Sequence, residues 1–448
     1  MSHTPCRDES ASAALSVPEP GRRGLPVFYG WIMLPIAMAG AIASSPAQTF
    51  GIAPFNPHFR AALGLSETQL TGAYMLGTLL AALPLRYVGA AMDRHGIRKT
   101  KTAVVLLFGL TCILVSQVAG LVSLFLAFLA LRLLGQGALG GVLSGSTLAF
   151  WFERRLGTVE GLRNAGMAGA IAIVPGVILW LIDAVGWRWA YVVLGVAVWV
   201  AILPLMLLFR NRPEDVGQLK DGLRANSADD SSFETIANGE HDLPSASDST
   251  ARDFTPAEAR RTRAFWLALL PTATWALTNT GVIFSAVPLF QARGASEADI
   301  AWLFTMFAVG FAVMIVVGGY LADRVPLNVL LSVGTACMAG SWVMVRTMDS
   351  LVMLLPIGLL LGLTQGTLVG ATAPLWPRYF GRAHLGKLRG MLVTVMVASS
   401  SAGPFVMGVT RDYTGSYDPA LTAFIIVCVP LSIAVLWATP PARRASAP

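Results

Sequence analysis

The sequence is poor in charge, in cysteine and in histidine, and each shortage excludes something. Charged residues make up 13% of the 448 positions, about half of what a soluble globular domain carries. A chain so short of charge cannot cover the surface of an ordinary cytosolic enzyme. Of the 4 cysteines, Cys6 sits in a polar N-terminal stretch, and Cys112, Cys337 and Cys428 stand singly inside long apolar runs. With no C-x-x-C or ligand-type spacing, neither a disulfide, a metal site nor a cofactor is expected. His58, His95 and His384 fall in predicted loops, and Asp183 and Asp299 lie near the ends of apolar runs. No Asp, Glu or His occupies the middle of a run, which removes the positioned base that a membrane-embedded hydrolase or transferase needs. It also assigns no buried-carboxylate proton relay. Residues 1–27 lack the apolar core and small-residue cleavage site of a secretory signal and are expected as a disordered cytoplasmic tail.

What the chain has instead is apolar length, with 55% of residues hydrophobic. Runs close to the roughly 20 residues that cross a bilayer fall at 28–54, 67–91, 101–118, 121–148, 158–182 and 189–209. A second six follow at 264–288, 297–321, 327–345, 351–374, 389–410 and 419–438. Between the sixes, 210–262 is charged and dense in Ser, Asp, Asn and Gly, and reads as a flexible cytoplasmic loop. The expected fold is an all-α integral membrane protein of twelve spans, with six-helix bundles over 28–209 and 263–438 and a cytoplasmic tail over 439–448. With both termini inside, the outer loops hold Arg60, Arg188, Arg293, Arg346 and Arg411, while Lys99, Lys101, Lys220, Lys387 and most arginines fall on the inner side. The net charge of +7 is then a topology signal and not a nucleic-acid footprint. The expected partners are a lipid bilayer and a small organic solute, with the chain a monomer.

The two sixes are related. G-L-S-E at 64–67 recurs as G-A-S-E at 294–297, and Gly89, Asp93 and Arg94 recur as Gly319, Asp323 and Arg324 at an offset of 230. Farther on the offset becomes 229: Gln136 and Gly137 match Gln365 and Gly366, Pro175 matches Pro404, and Asp183 matches Asp412. Two homologous halves rocking about a central site are a transporter's construction. Glu67, which follows Ser66 in S-E-T-Q and has Glu297 as its counterpart, is read as part of a helix cap.

Residues 89–99, G-A-A-M-D-R-H-G-I-R-K, resemble the loop motif G-x-x-x-D-R-x-G-x-R-K of the major facilitator superfamily at every specified position. The resemblance implies a conformational latch of Gly89, Asp93, Arg94, Gly96, Arg98 and Lys99, repeated in part by Asp323 and Arg324, that holds an outward-open state. In it Asp93 would face the positive N-terminus of the span beginning near Arg389, and Arg94 and Arg98 would pair with Glu153. W-F-E-R-R-L-G-T-V-E-G-L-R-N-A-G at 151–166 resembles the start of the fifth helix in monocarboxylate porters and oxalate/formate-type antiporters, from which Leu156, Val159 and Arg163 depart. Where carboxylate carriers of that branch place an arginine in the eighth helix, this chain has Ile315.

Arg132 is the most informative candidate for substrate contact. At about 1.5 Å per residue it lies roughly 16 Å into its span, where a guanidinium must face a cavity or a partner. Its repeat counterpart is Leu361, so symmetry does not account for it, and L-R-L-L-G-Q-G resembles a superfamily motif whose Arg is linked to proton coupling or substrate charge. Gln48 and Thr49, with counterparts Thr278 and Asn279, offer hydrogen bonds from both halves; Tyr74, Trp275, Gln136 and Gln365 complete the cavity candidates. Arg86, near the inner surface, is expected to snorkel. The expected function is alternating-access transport of a small organic solute, with a carboxylate or other organic anion favoured by Arg132, in a bacterial inner membrane. A co-transported proton or an exchanged anion would couple it. The alternatives are a proton-linked exporter of amphipathic compounds and a non-transporting sensor of the same fold; an enzyme is not expected.

Overall fold

The computed structural model describes residues 28–153, 155–222, 254–322, 324–381 and 385–441. The tails, the greater part of the central loop, Asp323 and His384 lie outside the described residues. Among the described residues there are helices and no strands. In chain order the principal helices are α1 (Gly30–Ala43), α2 (Glu67–Ala81), α3 (Leu85–His95), α4 (Ile97–Val115), α5 (Leu121–Ala130), α6 (Ser144–Trp151) and α7 (Leu156–Ile202). Then come α8 (Arg263–Phe284), α9 (Glu297–Ala322), α10 (Leu327–Arg346), α11 (Leu354–Phe380), α12 (Leu385–Thr414) and α13 (Asp418–Ala434). Ten helices among the described residues are long and apolar enough to cross a membrane. One of them runs through α7, which contains a break at Gly186 (φ 79°, ψ 156°), a left-handed conformation that glycine adopts without a Cβ penalty. α4, with 19 residues, is apolar beyond the Arg98, Lys99 and Lys101 of its first turns.

The outer surface inverts the pattern of a soluble protein. Leu114, Val122, Val200, Leu207 and Ile426 are each more than half exposed, as side chains facing acyl chains should be. Exposed aromatics collect at the span ends: Trp180, Trp189, Trp302 and Tyr413 toward one face, Trp31, Tyr87, Trp266 and Trp437 toward the other. That is the distribution of interfacial belts.

Inside, two buried clusters form. One draws on residues from Tyr29 to Phe209 and takes in Phe284; the other runs from Ala259 to Val435 and takes in Phe50 and Ile171. Because lipid tails are as apolar as leucine, close backbone approach replaces the hydrophobic drive between helices. α9 and α11 show it: a Cβ on Gly362 would overlap the Phe307 carbonyl, and one on Gly310 would overlap that of Leu359. A Cβ on Gly403 of α12 would likewise overlap Leu277 of α8.

Two irregular segments shape the interior. α1 ends at Ala43, and after a short turn at Ser45–Ala47 the backbone is extended at Gln48 (φ −77°, ψ 156°) before helix resumes at Thr49–Ile52. The single first span expected over 28–54 is therefore discontinuous. Beside it, Leu131–Leu143 between α5 and α6 is wound as a π-helix of 13 residues, a rare form associated with functional sites. Gly135 and Gly140 let the two meet, since added Cβ atoms would strike Ala47 and Phe108 at the first and Ser44, at 2.5 Å from its Oγ, at the second. Non-helical backbone at membrane depth persists where it is buried in protein or lines a cavity, and this stretch does both.

Candidate functional site

A cavity of about 200 Å³ lies between the clusters, lined by Gln48, Thr49, Phe50, Met167 and Ile171 from the first half and Asn279, Thr280, Ile283, Phe304, Phe307 and Gln365 from the second. The amides and hydroxyls come from the extended stretch after α1, from α8 and from α11, and the apolar wall from α7, α8 and α9. No lining residue is charged. At about 30 Å³ per water, the space suits a solute of some six or seven such groups. Asn279 Oδ1 is buried and accepts no hydrogen bond from the protein, leaving an acceptor for a ligand's O–H or N–H.

Four expected contact residues, Gln48, Thr49, Asn279 and Gln365, meet here, and the others lie elsewhere. Thr278 is 1% exposed and turned into the second cluster, its Oγ1 donating to Met338 Sδ at 3.7 Å. Trp275 stacks on Trp342, ring centroids 6.5 Å apart, in the same cluster. Gln136 is in the π-helical segment and does not line the cavity. Phe50, Phe304 and Phe307 are lining residues that the sequence left among the generic apolar positions.

Tyr74 and Arg132 form a layer behind the cavity. The Tyr74 hydroxyl shares a 3.0 Å hydrogen bond with Thr49 Oγ1, and the Arg132 guanidinium carbon lies 5.1 Å from the Tyr74 ring centroid. Arg132 is 5% exposed; its Nη1 donates to the Ala47 carbonyl at 3.4 Å, and its Nε has no partner. It thus holds a carbonyl freed by the break after α1 and faces a ring, one side chain removed from any solute. Lys101, expected on the inner side, is fully buried, with its Nζ donating to the Ile36 carbonyl at 3.4 Å. Arg86 is exposed and donates to the Tyr87 hydroxyl at 3.0 Å.

The end of the molecule where α2 begins is closed across the two halves. Asp412 of α12 accepts from the backbone N–H groups of Glu67 (3.2 Å) and Thr68 (2.7 Å), sitting on the positive N-terminus of α2. Glu67 Oε1 accepts from Arg60 Nη1 at 2.6 Å and from the Tyr417 hydroxyl at 2.8 Å, with the Glu67 side chain 2% exposed. The cap itself is made by Ser66 and Gln69, so the reading of Glu67 as a capping residue is corrected: it is a buried ion joining the halves. Burial, with the Glu67 carboxylate beside it, holds the Tyr417 hydroxyl above the ordinary tyrosine range, keeping it a donor at neutral pH. Asn56 Nδ2 donates to the Phe284 carbonyl at 2.5 Å, Tyr74 packs on Phe284 with centroids 4.3 Å apart, and Thr305 donates to the Ala172 carbonyl at 3.3 Å.

The opposite end carries the latch motif. There Asp93, Arg94 and Lys99 are exposed, and a Cβ on Gly89, Gly157, Gly161 or Gly390 would meet none of the described residues within 4 Å. Gly96 (φ 83°) turns α3 into α4, where the Arg98 N–H donates to Asn211 Oδ1 at 2.9 Å. Arg324 lies over the Tyr320 ring at 3.8 Å. Glu153 pairs with Lys220 at 3.7 Å rather than with Arg94 or Arg98, which corrects the expected pairing.

The family profile described as Major Facilitator Superfamily matches residues 37–293 and 269–448. The chain belongs to the Major Facilitator Superfamily. Among curated superfamily members, a probable sulfoacetate transporter of Cupriavidus necator is 26% identical over 81% of this chain and 83% of its own length. A hexuronate transporter of Escherichia coli is 24% identical over 64% and 66%, and monocarboxylate transporter 10 of Danio rerio 26% over 65% and 54%. Among solved structures, a D-xylose–proton symporter shares the fold with TM-score 0.68 at 13% identity, covering 92% of this chain and 98% of its own. A bacterial homologue of the human lysosomal transporter Spinster, in an inward-facing and occupied conformation, does so with TM-score 0.67 at 13% identity, covering 93% and 97%. The chain is a multi-pass membrane transporter of small solutes and not an enzyme.

Proposed function

We propose that this protein carries a small organic anion, a carboxylate or sulfonate that also bears a hydrogen-bond donor, across a bacterial inner membrane by alternating access. The observation behind this reading is the cavity lined from both halves, with Glu67, Asp412 and Tyr417 joining the halves at one end and Asp93, Arg94 and Lys99 exposed at the latch end, which we read as the open one. Splitting α7 at Gly186 and adding α4 to the ten apolar helices makes twelve spans; with both termini cytoplasmic the open end faces the cytoplasm. In this reading six-helix bundles over 28–209 and 263–438 are joined by a cytoplasmic central loop.

The solute class rests on chemistry and kinship together. Sulfoacetate, hexuronates and monocarboxylates, for which the three relatives are named, are organic anions, and hexuronates carry the hydroxyls that Asn279 Oδ1 can accept. Arg132 is a positioning residue here: it fixes Ala47 and Tyr74, hence the Gln48–Thr49 edge of the cavity. Its charge adds to the field, since unit charges about 10 Å apart at an effective dielectric of about 20 attract by about 1.7 kcal/mol. Motion of a proton with the solute, or exchange for another anion, supplies the coupling.

Uptake into proteoliposomes tests the reading, with sulfoacetate, glucuronate, lactate and neutral xylose as solutes, with and without a pH gradient. Saturable uptake of an anion, at least tenfold slower in Arg132→Gln, is expected. Uptake of xylose alone, unchanged in the variant, overturns the anion class.

A further inference from the structure

An ion pair one helical turn from Met167 of the cavity lining has no part in the function proposed so far. Arg163 and Glu160 lie in the first turns of α7, and Arg163 is one of the positions at which 151–166 departs from the branch it resembles. Met167 and Ile171, four and eight residues farther along the helix, line the cavity. Residues at such spacing share a helix face, so Arg163 is on the cavity face, one turn or about 5.4 Å nearer the open end. Its Nε donates to Glu160 Oε2 at 2.7 Å and its Nη1 to the Gly140 carbonyl at 3.5 Å. Gly140 in turn lies against Ser44 and Gln48, which ties the pair to the irregular backbone around the cavity.

The environment is not that of a solvated surface pair. The Arg163 and Glu160 side chains are 18% and 29% exposed, against 48% and 74% for Lys220 and Glu153. A guanidinium has five N–H donors, its planar fork matches a carboxylate or sulfonate, and its interaction with either is bidentate at best geometry. Met38 of α1 lies against Gly166, a turn from the pair. The π-helical segment and α6 face the pair with Gly140 and with Gly145, where a Cβ would lie 3.8 Å from Glu160 Oε1.

We propose that Arg163 receives the anionic group of the solute beside the cavity, and that the Glu160 carboxylate is a place-holder which the solute's carboxylate or sulfonate displaces. This rests on the organic-anion reading above. The solute must compete with the Glu160 carboxylate for the guanidinium, so removing that carboxylate leaves Arg163 free for the solute.

Titration calorimetry on the full-length protein in nanodiscs, with sulfoacetate and glucuronate as probes, decides it. We expect Glu160→Gln to bind about fivefold more tightly than wild type, the worth of a partly screened ion pair. Arg163→Gln should bind at least tenfold more weakly, with Arg163→Lys between the two. Equal affinity in wild type, Arg163→Gln and Glu160→Gln overturns the place-holder while leaving the anion reading intact. If neither probe binds wild type or Glu160→Gln at millimolar concentration, both readings fall. Should Arg163→Gln not fold, the affinity of Glu160→Gln against wild type still decides, because a purely structural pair would leave binding no tighter.

Discussion

The two ends of the transporter carry the same kind of polar equipment and use it in opposite ways. Each has an aspartate beside a helix terminus and a glutamate paired with a basic residue. At the Glu67 end Asp412 is engaged by two N–H groups of the other half, and Glu67 is buried against Arg60 and Tyr417. At the Asp93 end the aspartate is exposed and Glu153 meets Lys220 at 3.7 Å in water. The lesson is that the conformation is set by which end has desolvated its ions across the two halves. An ion pair counted from sequence says nothing about which end that is.

Breaking the closed end should therefore have the largest effect. Glu67→Ala leaves Arg60 and the Tyr417 hydroxyl without their acceptor; Arg60 lies in the same half, so what the closed end loses is the hydrogen bond from Tyr417 to a carboxylate, about 2 kcal/mol. That shifts the balance between conformations roughly thirtyfold toward opening at this end. Spin labels at Ala62 and Ser350 in a cysteine-free background would read it as a new, longer distance; an unchanged distribution would mean the cluster does not hold the halves together. Asp412→Asn removes a charge from the α2 N-terminus but keeps an acceptor, so a loss of about 1 kcal/mol and a shift of some fivefold are expected. Asp93→Asn should act in the reverse sense, because the latch works in the other conformation. With the same labels it should deplete the longer distance and leave the shorter one unaltered, and any gain in the longer distance would contradict the latch.

The sequence carried the fold because hydrophobic length, charge asymmetry and a repeat at offsets of 230 and 229 are all local or periodic signals. It carried less of the site. The Thr49 counterpart by repeat falls on 278 or 279, and one residue is about 100° of a helix, so Asn279 reaches the cavity while Thr278 points into the cluster behind it. The break at Gln48 ends the register that would have told them apart; Ser44-Ser45-Pro46 was its faint warning. The glycines at 135, 137, 140 and 141 were a similar sign of unusual winding beside Arg132. The depth of Arg132 could be counted along the chain, but its facing could not, since that depends on π-helical winding. Glu67 misled because S-E-T-Q accounts for itself as a cap, while the partners Asp412 and Tyr417 lie some 350 residues away. The match of Asp183 with Asp412 placed both near the same membrane face without saying that only one would meet a helix N-terminus.

The smallest expected effect sharpens the comparison most, because it alters the same chemistry at the other end. Lys220→Ala removes the partner of Glu153, but with the two side chains 48% and 74% exposed water replaces the lost contact. Exposed pairs contribute about 0.2–1 kcal/mol, and 3.7 Å with a flexible lysine belongs at the bottom of that range. The Ala62–Ser350 distances and the melting temperature should both stay within error. A shift as large as that of Asp412→Asn would show that the pair matters to the open end despite its exposure, and the distinction between desolvated and solvated ions would then not explain why one end is shut.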